Sequence, residues 1–490
     1  MKMKKNFKYV ITLCLCTLFS VSCQRDLLSP TPQTSVTDAS AFDTPSRILS
    51  QVMSLYGALK SGQFYGGRSI VYGDIRGEDF INETTNLVTS SDVWNNNPTN
   101  SATAVVNLWS QAYYTINICN IFLEGMSSKG TAVVGATLAA NYVAEAKLVR
   151  ALCYYTLLQY YARPYADGNG AKPGVPLRLT AIKGAGFSDL ARSTVADVYT
   201  QILKDLNDAE TGLPLNNGTA TLNTTRAHRN TAIALKTRVY LSMQQYANVI
   251  TEANKIVSAT APFTATSGVA HALQPNIATV FTNYTTTESI LSLPMSATSG
   301  DNPGTQNQLG FYFYNNGSVG SAEFSMNNTT GIITSTAWSA TDKRRGFIYT
   351  NTANNKRYLA KYVSPSPYTD FPIVIRYAEV LLNLAEAKVR VANAVDAQAV
   401  ALLSAVRNRS DAAVTYTTAD FANATALINA ILLERRIEFM GEGLRNGDLM
   451  RLLQTIPAKG SAAAKAPSDL GYIWPISNTE LSLNKLCTDN

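Results

Sequence analysis

The sequence predicts a mainly α protein: tetratricopeptide-like helical pairs forming a scaffold that carries an irregular, loop-rich face. Apolar residues recur at spacings of three and four along nine separate segments, the period of one helix face. Several of these segments follow one another with only a short turn between them, as helical hairpins do. Between residues 261 and 370 the texture changes to Thr, Asn, Gly, Ser and Tyr with short runs such as SILSLPM. That composition predicts long loops and a few strands, and ordered loops on a rigid scaffold are where binding surfaces concentrate.

The first element is a leader. Lys2, Lys4, Lys5 and Lys8 precede the apolar run from Tyr9 to Phe19, which is too short to span a bilayer comfortably and has the flanks of a secretory signal. Residues 1–22 are therefore expected to be a signal peptide. Cys23 follows Ser20, Val21 and Ser22, and a strip rich in Ser, Thr, Pro and Gln comes next (SPTPQTSVTDAS). The junction resembles a lipobox, with Ser20 where leucine is usual, so Cys23 is expected to be acylated and the strip to act as a tether. An ordinary signal peptide with Cys23 incidental is the alternative.

The helical segments follow in order: Ala41 to Leu59, Thr103 to Met126, Leu138 to Tyr161, Val195 to Leu206, Asn230 to Met243, Tyr246 to Val257, Arg376 to Val391, Ala397 to Arg407 and Ala424 to Phe439. The clearest pair lies in the middle. Ala232, Leu235, Val239 and Tyr240 form one apolar face, Gln244 and Gln245 mark a turn, and Tyr246, Val249, Ile250 and Ala253 begin the return. The repeat of about 34 residues is not regular. Trp109 stands at helical spacing with Ala112 and Ile116 and belongs to a core.

Two charged strings close the chain. In FPIVIRYAEVLLNLAEAKVR, Tyr377, Leu381 and Leu384 share an apolar face while Glu379, Asn383 and Glu386 form a polar stripe, with Glu386 four residues before Arg390. Two glutamates seven residues apart sit about 10 Å apart along a helix, and no second element completes an acid and base pair. Glu434, Arg435, Arg436, Glu438, Glu442, Arg445 and Asp448 form a second cluster, interrupted by Gly441 and Gly443. Both strings read as ion pairs that hold helices together.

Composition narrows the functional classes. At 46% hydrophobic and 15% charged residues, the chain has ample material for a large core. Without the four leader lysines, 37 basic residues face 34 acidic ones, and no basic cluster interleaved with aromatics suggests a nucleic-acid partner. Cys119, Cys153 and Cys487 are an odd, widely spaced trio and no disulfide framework; Cys119 and Cys153 lie in helix-like apolar segments and are expected as buried free thiols, with a single bridge as the alternative. His228 and His271 lack ligand spacing with any cysteine, so neither metal nor other cofactor is expected. There is no GxSxG, HExxH or GxxxxGK[ST] string. No catalytic residues are assigned, although a glycosidase needs only two carboxylates and no motif.

The order of the strings carries a resemblance. After Cys23 come DLLSPTPQTSVTDASAF, GDIRGEDF, LWSQAYYTINICN, EAKLVRALCYYTLLQYYARPY with GVPL, IALKTRVYLSMQQYANVITEANKIV, IRYAEVLLNLAEA, LLERRIEFMGEGLRNGDLMRL and YIWPISNTELSLN. In this order the chain resembles the SusD/RagB family of outer-membrane nutrient-binding lipoproteins of Bacteroidetes from Cys23 to Asn490. The resemblance implies a SusD-like N-terminal helical region over 23–260 and a C-terminal RagB/SusD region over 261–490 that includes the loop-rich face. It implies a surface-exposed, lipid-anchored protein of the outer membrane that is not an enzyme. It also implies a role: capturing oligosaccharide, or peptide as RagB-like members do, for a SusC-like TonB-dependent transporter.

Sugars are held by aromatic faces and by amides that hydrogen-bond their hydroxyls. The candidates are Trp94 with Asn95, Asn96 and Asn97 in a polar loop, and Tyr284, Phe311, Tyr312, Phe313, Tyr314 and Trp338 in the irregular region. Trp94 is read either as a ligand contact or as a loop anchor packed on the scaffold. If GFYFYNNG is extended, alternation puts Tyr312 and Tyr314 on one side, with Asn315 and Asn316 adjacent. Trp94, Asn95, Asn97, Tyr312, Tyr314 and Trp338 are the residues expected to touch ligand.

Overall fold

The computed structural model describes residues 40–184, 186–298 and 300–490; Cys23 and the leader lie outside them. All nine expected helical segments are helices, with ends moved by a few residues. The first is α1 (Pro45–Leu59), which starts late because Thr44 is extended and its hydroxyl accepts the Arg47 N–H. A helix absent from the sequence reading, α2 (Arg68–Ile75), comes next, then strand β1 (Phe80–Asn82) and the single turn α3 (Ser91–Trp94).

The long helices α4 (Thr103–Gly125), α5 (Ala136–Tyr161), α6 (Val195–Gly212), α7 (Arg229–Ser242) and α8 (Tyr246–Ala253) then stack as successive neighbours. A capping box between Thr194 and Asp197 fixes the start of α6. Helix α5 is buried continuously from Leu148 to Leu158, as befits the middle of a helical stack. Its two buried charges are matched: Glu145 accepts from Arg226 at 2.5 Å and from the Tyr56 hydroxyl at 2.7 Å, and Arg150 grips Asp205 through two contacts of 2.8 Å. Cys119 and Cys153 are buried free thiols, as is Cys487.

The stack continues across the irregular region. Helix α8 packs on α10 (Tyr377–Ala392), and α10 packs on α11 (Ala397–Ser410) and α12 (Ala424–Glu438). Between α8 and α10 the chain forms β2 (Ser289–Ser292), the turn α9 (Leu309–Phe313), β3 (Phe324–Met326), a hairpin of β4 (Ile348–Asn351) and β5 (Lys356–Leu359), and β6 (Ile373–Arg376). Three two-stranded antiparallel sheets result: β1 with β3, β2 with β6, and β4 with β5.

The polar stripe of α10 faces inward. Glu379 takes two contacts of 2.6 Å from Arg238, Asn383 accepts from Arg435 at 2.6 Å, and Glu386 binds Arg451 through two contacts of 2.7 Å. The last charged string builds a larger buried network. Arg344 contacts Asp342, Glu434 and Glu438; Arg407 reaches Asp342 and Glu434; Arg376 contacts Glu288, Glu438 and Glu442; and Lys361 completes it at Glu442. This network clamps α11 and α12 to the start of α10. Gly441 and Gly443, both at φ near 80°, end α12 and admit α13 (Arg445–Arg451). A side chain at Gly443 would also collide with the backbone of Ile70.

Candidate functional site

Strands β1 and β3 pair from Phe80 opposite Met326 to Asn82 opposite Phe324, and β5 lies beside β3. The β4 and β5 hairpin therefore stands against the loop that follows β1, with the segment after α9 alongside. In the hairpin Tyr349 faces Tyr358 and Asn351 faces Lys356, so these four side chains share one side. Against that side come Tyr314, whose ring lies 5.5 Å from Tyr349 at 60°, and Asn315, whose side-chain oxygen accepts from Asn351 at 3.1 Å. Asn354 donates to the Tyr358 hydroxyl at 3.1 Å, and Lys356 pairs with Glu83, which also accepts from Ser325.

The result is a pair of tyrosines fringed by amides and one ion pair. Tyr349 is half-buried and Tyr314 is 8% exposed, so Tyr349 offers the larger accessible surface. Burial first, and the neighbouring Tyr349 second, raise the Tyr314 phenol above its ordinary value; the two aromatic faces are suited to covering the C–H side of a sugar.

The other expected residues sit differently. Trp94 is 4% exposed, its indole N–H donates to the Phe80 carbonyl at 2.7 Å, and Gly460 packs on the ring edge. This is the loop-anchor arrangement: the ring ties its loop to β1 and offers no open platform. Asn95 and Asn97 of that loop are exposed, whereas Asn96 is buried. Tyr312 and Tyr314 do not form a pair, because Leu309 to Phe313 is helical rather than extended. The helix turns Tyr312 fully inward, where its hydroxyl donates to the Gln306 carbonyl at 2.7 Å and its ring stacks near Phe324. Trp338 is buried beneath the Arg345 guanidinium, 4.3 Å from the ring centre.

Sequence reasoning missed Tyr349, Asn351 and Lys356. A signal was present: IYTNTANNKRYL is two short strand-like runs around an amide-rich turn.

Fold and face together define a helical-repeat scaffold that presents a loop-built, aromatic and amide-rich candidate surface. The chain belongs to the SusD/RagB family. It matches the SusD-like family described as starch-binding and associating with the outer membrane over residues 28–241, and the SusD family over 282–490. A SusD superfamily protein from Bacteroides fragilis is 34% identical, with a TM-score of 0.81 over 91% of this chain and 99% of that one. A laminarin-binding SusD-like protein is 20% identical, with a TM-score of 0.71 over 91% of this chain and 99% of that one, and shares the fold. A SusD-like protein of Formosa agariphila is 26% identical over 41% of this chain, a match that spans only 38% of that relative's length. No helix among the described residues is long and apolar enough to cross a membrane.

Proposed function

We propose that this protein is a cell-surface glycan-binding lipoprotein, held in the outer membrane by acylated Cys23, that captures oligosaccharide for a SusC-like TonB-dependent transporter. The observation that carries the binding reading is the Tyr314 and Tyr349 pair with Asn315, Asn351 and Asn354 around it. One ring stacked on Tyr349 removes some tens of Å² of apolar surface from water, which contributes on the order of 1 to 2 kcal/mol. Such contacts are individually weak, so affinity builds along a chain and oligosaccharides bind where monosaccharides do not. Asn95 and Asn97, exposed on the loop that Trp94 ties to β1, remain further candidates for ligand contact.

Calorimetry against a panel of oligosaccharides, with chromatography of the ligand afterwards, tests this reading. Saturable binding of at least one oligosaccharide recovered intact supports it. Ligand recovered as fragments points to a glycosidase, and binding of peptides alone points to a peptide receptor. For the transporter, gentle detergent extraction at native expression should recover both proteins together; recovery of this chain alone argues for an independent binder.

A further inference from the structure

Exposed apolar side chains gather beside the C-terminal half of α4. Leu179, Ile182, Phe187 and Leu190 line one open concavity, and Phe187 is fully exposed. Leu483 and Leu486, also exposed, stand on either side of Asn484 at the end of the last helix, α14 (Asn478–Leu483). Buried Asn484 joins the two groups: it accepts from the Leu190 N–H at 2.9 Å and donates to the Leu190 carbonyl at 2.7 Å. Asn117 of α4 does the same for Ile182, at 2.8 and 2.9 Å, and Asn120 donates to the carbonyls of Arg178 and Thr180. Three asparagines thus take up backbone polar groups of this segment while its apolar side chains face outward. The described chain starts at the same end of α4. Phe42 packs on Phe122 at 5.8 Å, a side chain at Gly125 would collide with the Phe42 ring, and Asp43 pairs with Lys129. Lys183 pairs with Glu124 at 2.5 Å, so the apolar segment and the start of the chain both meet the last turn of α4.

Single exposed leucines need no explanation, but a patch of them around a fully exposed phenylalanine does. Protein or lipid covers such a patch. A protein interface ordinarily adds about one hydrogen bond per 100–200 Å²; here Ile182 and Leu190 have both backbone groups paired within the chain, the condition that hydrocarbon imposes on whatever enters it. The anchor points the same way. Residues 24–39 separate Cys23 from Ser40 and span at most about 60 Å, so an acyl group on Cys23 holds the end of α4 within that distance of the bilayer. Exposed Lys183 and Lys485 stand at the rim with Glu124 and Asp189, a mixed set of charges that adds little electrostatic attraction of either sign. We propose that this patch is a second membrane contact, with Phe187 entering the lipid surface beside the anchor. The inference rests on the acylated Cys23 of the reading above and adds an orientation: the bilayer lies against the C-terminal end of α4. The contact is small and apolar, so alone it holds the protein too weakly to retain it through cell fractionation.

Two measurements on the processed protein with phosphatidylcholine vesicles, and no transporter, test this. In the first, Phe187→Cys carries an environment-sensitive fluorophore; Cys119, Cys153 and Cys487 are buried and leave it the accessible thiol. The fluorophore should be quenched by phosphatidylcholine bearing a spin label on its acyl chain, whereas the same fluorophore on Thr352→Cys, at the exposed hairpin tip of the glycan face, should not. In the second, the Cys23→Ala protein is sedimented with vesicles at high lipid concentration. It should partition measurably and almost independently of salt, and adding Phe187→Ser should lower the partition roughly tenfold with an unchanged melt, because the ring is exposed. An unquenched fluorophore at residue 187 on vesicles that hold the protein by its acyl group, or Phe187→Ser partitioning like its parent, overturns the proposal and leaves the anchor standing. A fluorophore that leaves water only when the transporter is added overturns it too, and assigns the patch to that partner. Processed protein that binds vesicles no better than Cys23→Ala, with the fluorophore quenched, removes the acyl anchor and keeps the contact.

Discussion

Asp74 accepts a hydrogen bond from the Gly443 backbone N–H at 2.6 Å, joining α2 to the turn before α13. Burial pushes this carboxyl up to about 8, with the Gly443 N–H opposing the shift. The folded state therefore holds a proton that the unfolded chain releases near pH 4. The contribution to stability is full below about pH 4 and is lost as pH rises through about 8. Asp74→Asn keeps the acceptor and removes the charge. We expect it to melt higher than wild type at pH 8.5, with the difference closing at pH 5; an equal difference at both values would exclude the titration of Asp74 as its cause.

The chain's only histidines, His228 and His271, stack at 5.2 Å in the core, and His271 also lies over Tyr377. Burial first, then His271, lowers His228 to about 3, and burial lowers His271 to about 4. Both pKa values are depressed, so stability from these rings is present above about pH 6.5 and is lost as pH falls toward 3 to 4. NMR of the two imidazoles should show no protonation between pH 7.5 and 5. A midpoint near 6.5 for either ring would contradict its burial.

Removing one centre of the charge network should unfold rather than blind the protein. Arg376 serves Glu288, Glu438 and Glu442, and Arg376→Ala leaves buried carboxylates without their cation, a loss of about 3 to 5 kcal/mol. Denaturant titration measures the loss, and the fraction still folded should bind ligand with wild-type affinity. Weakened binding with unchanged stability would place Arg376 in the ligand site.

Tyr349→Ala and Trp94→Ala should fail in opposite ways. Tyr349 is accessible and Trp94 is packed. The first is expected to cost roughly tenfold in oligosaccharide affinity, about 1.4 kcal/mol, with little change in melting. The second is expected to cost about 3 to 5 kcal/mol of stability. Calorimetry beside a circular-dichroism melt reads both, and the reverse pattern would return Trp94 to the ligand face.

Cys23→Ala should release the protein from membranes and abolish labelling by fatty acid. Fractionation of cells expressing each form checks this, and a variant that stays membrane-bound would argue against an acyl anchor.

The amino-acid sequence by itself determined the helical scaffold. Helices are written in local periodicity, so the start of α6 at Val195, the turn at Gln244 and Gln245, and the break at Gly441 and Gly443 could be placed from neighbours a few residues apart. The inward role of Glu379, Asn383 and Glu386 was legible for the same reason, since one helix stripe must meet one neighbour. What only the tertiary structure decided was which aromatics face solvent. Trp94 is covered by Gly460, a residue far along the chain; Tyr312 is turned inward by a short helix that its aromatic-rich sequence does not announce; and Tyr349 is presented beside Tyr314 by a distant hairpin. A loop side chain takes its direction from contacts remote in sequence. Residue type therefore supplied the chemistry of the face, and the packing of the chain selected which residues present it.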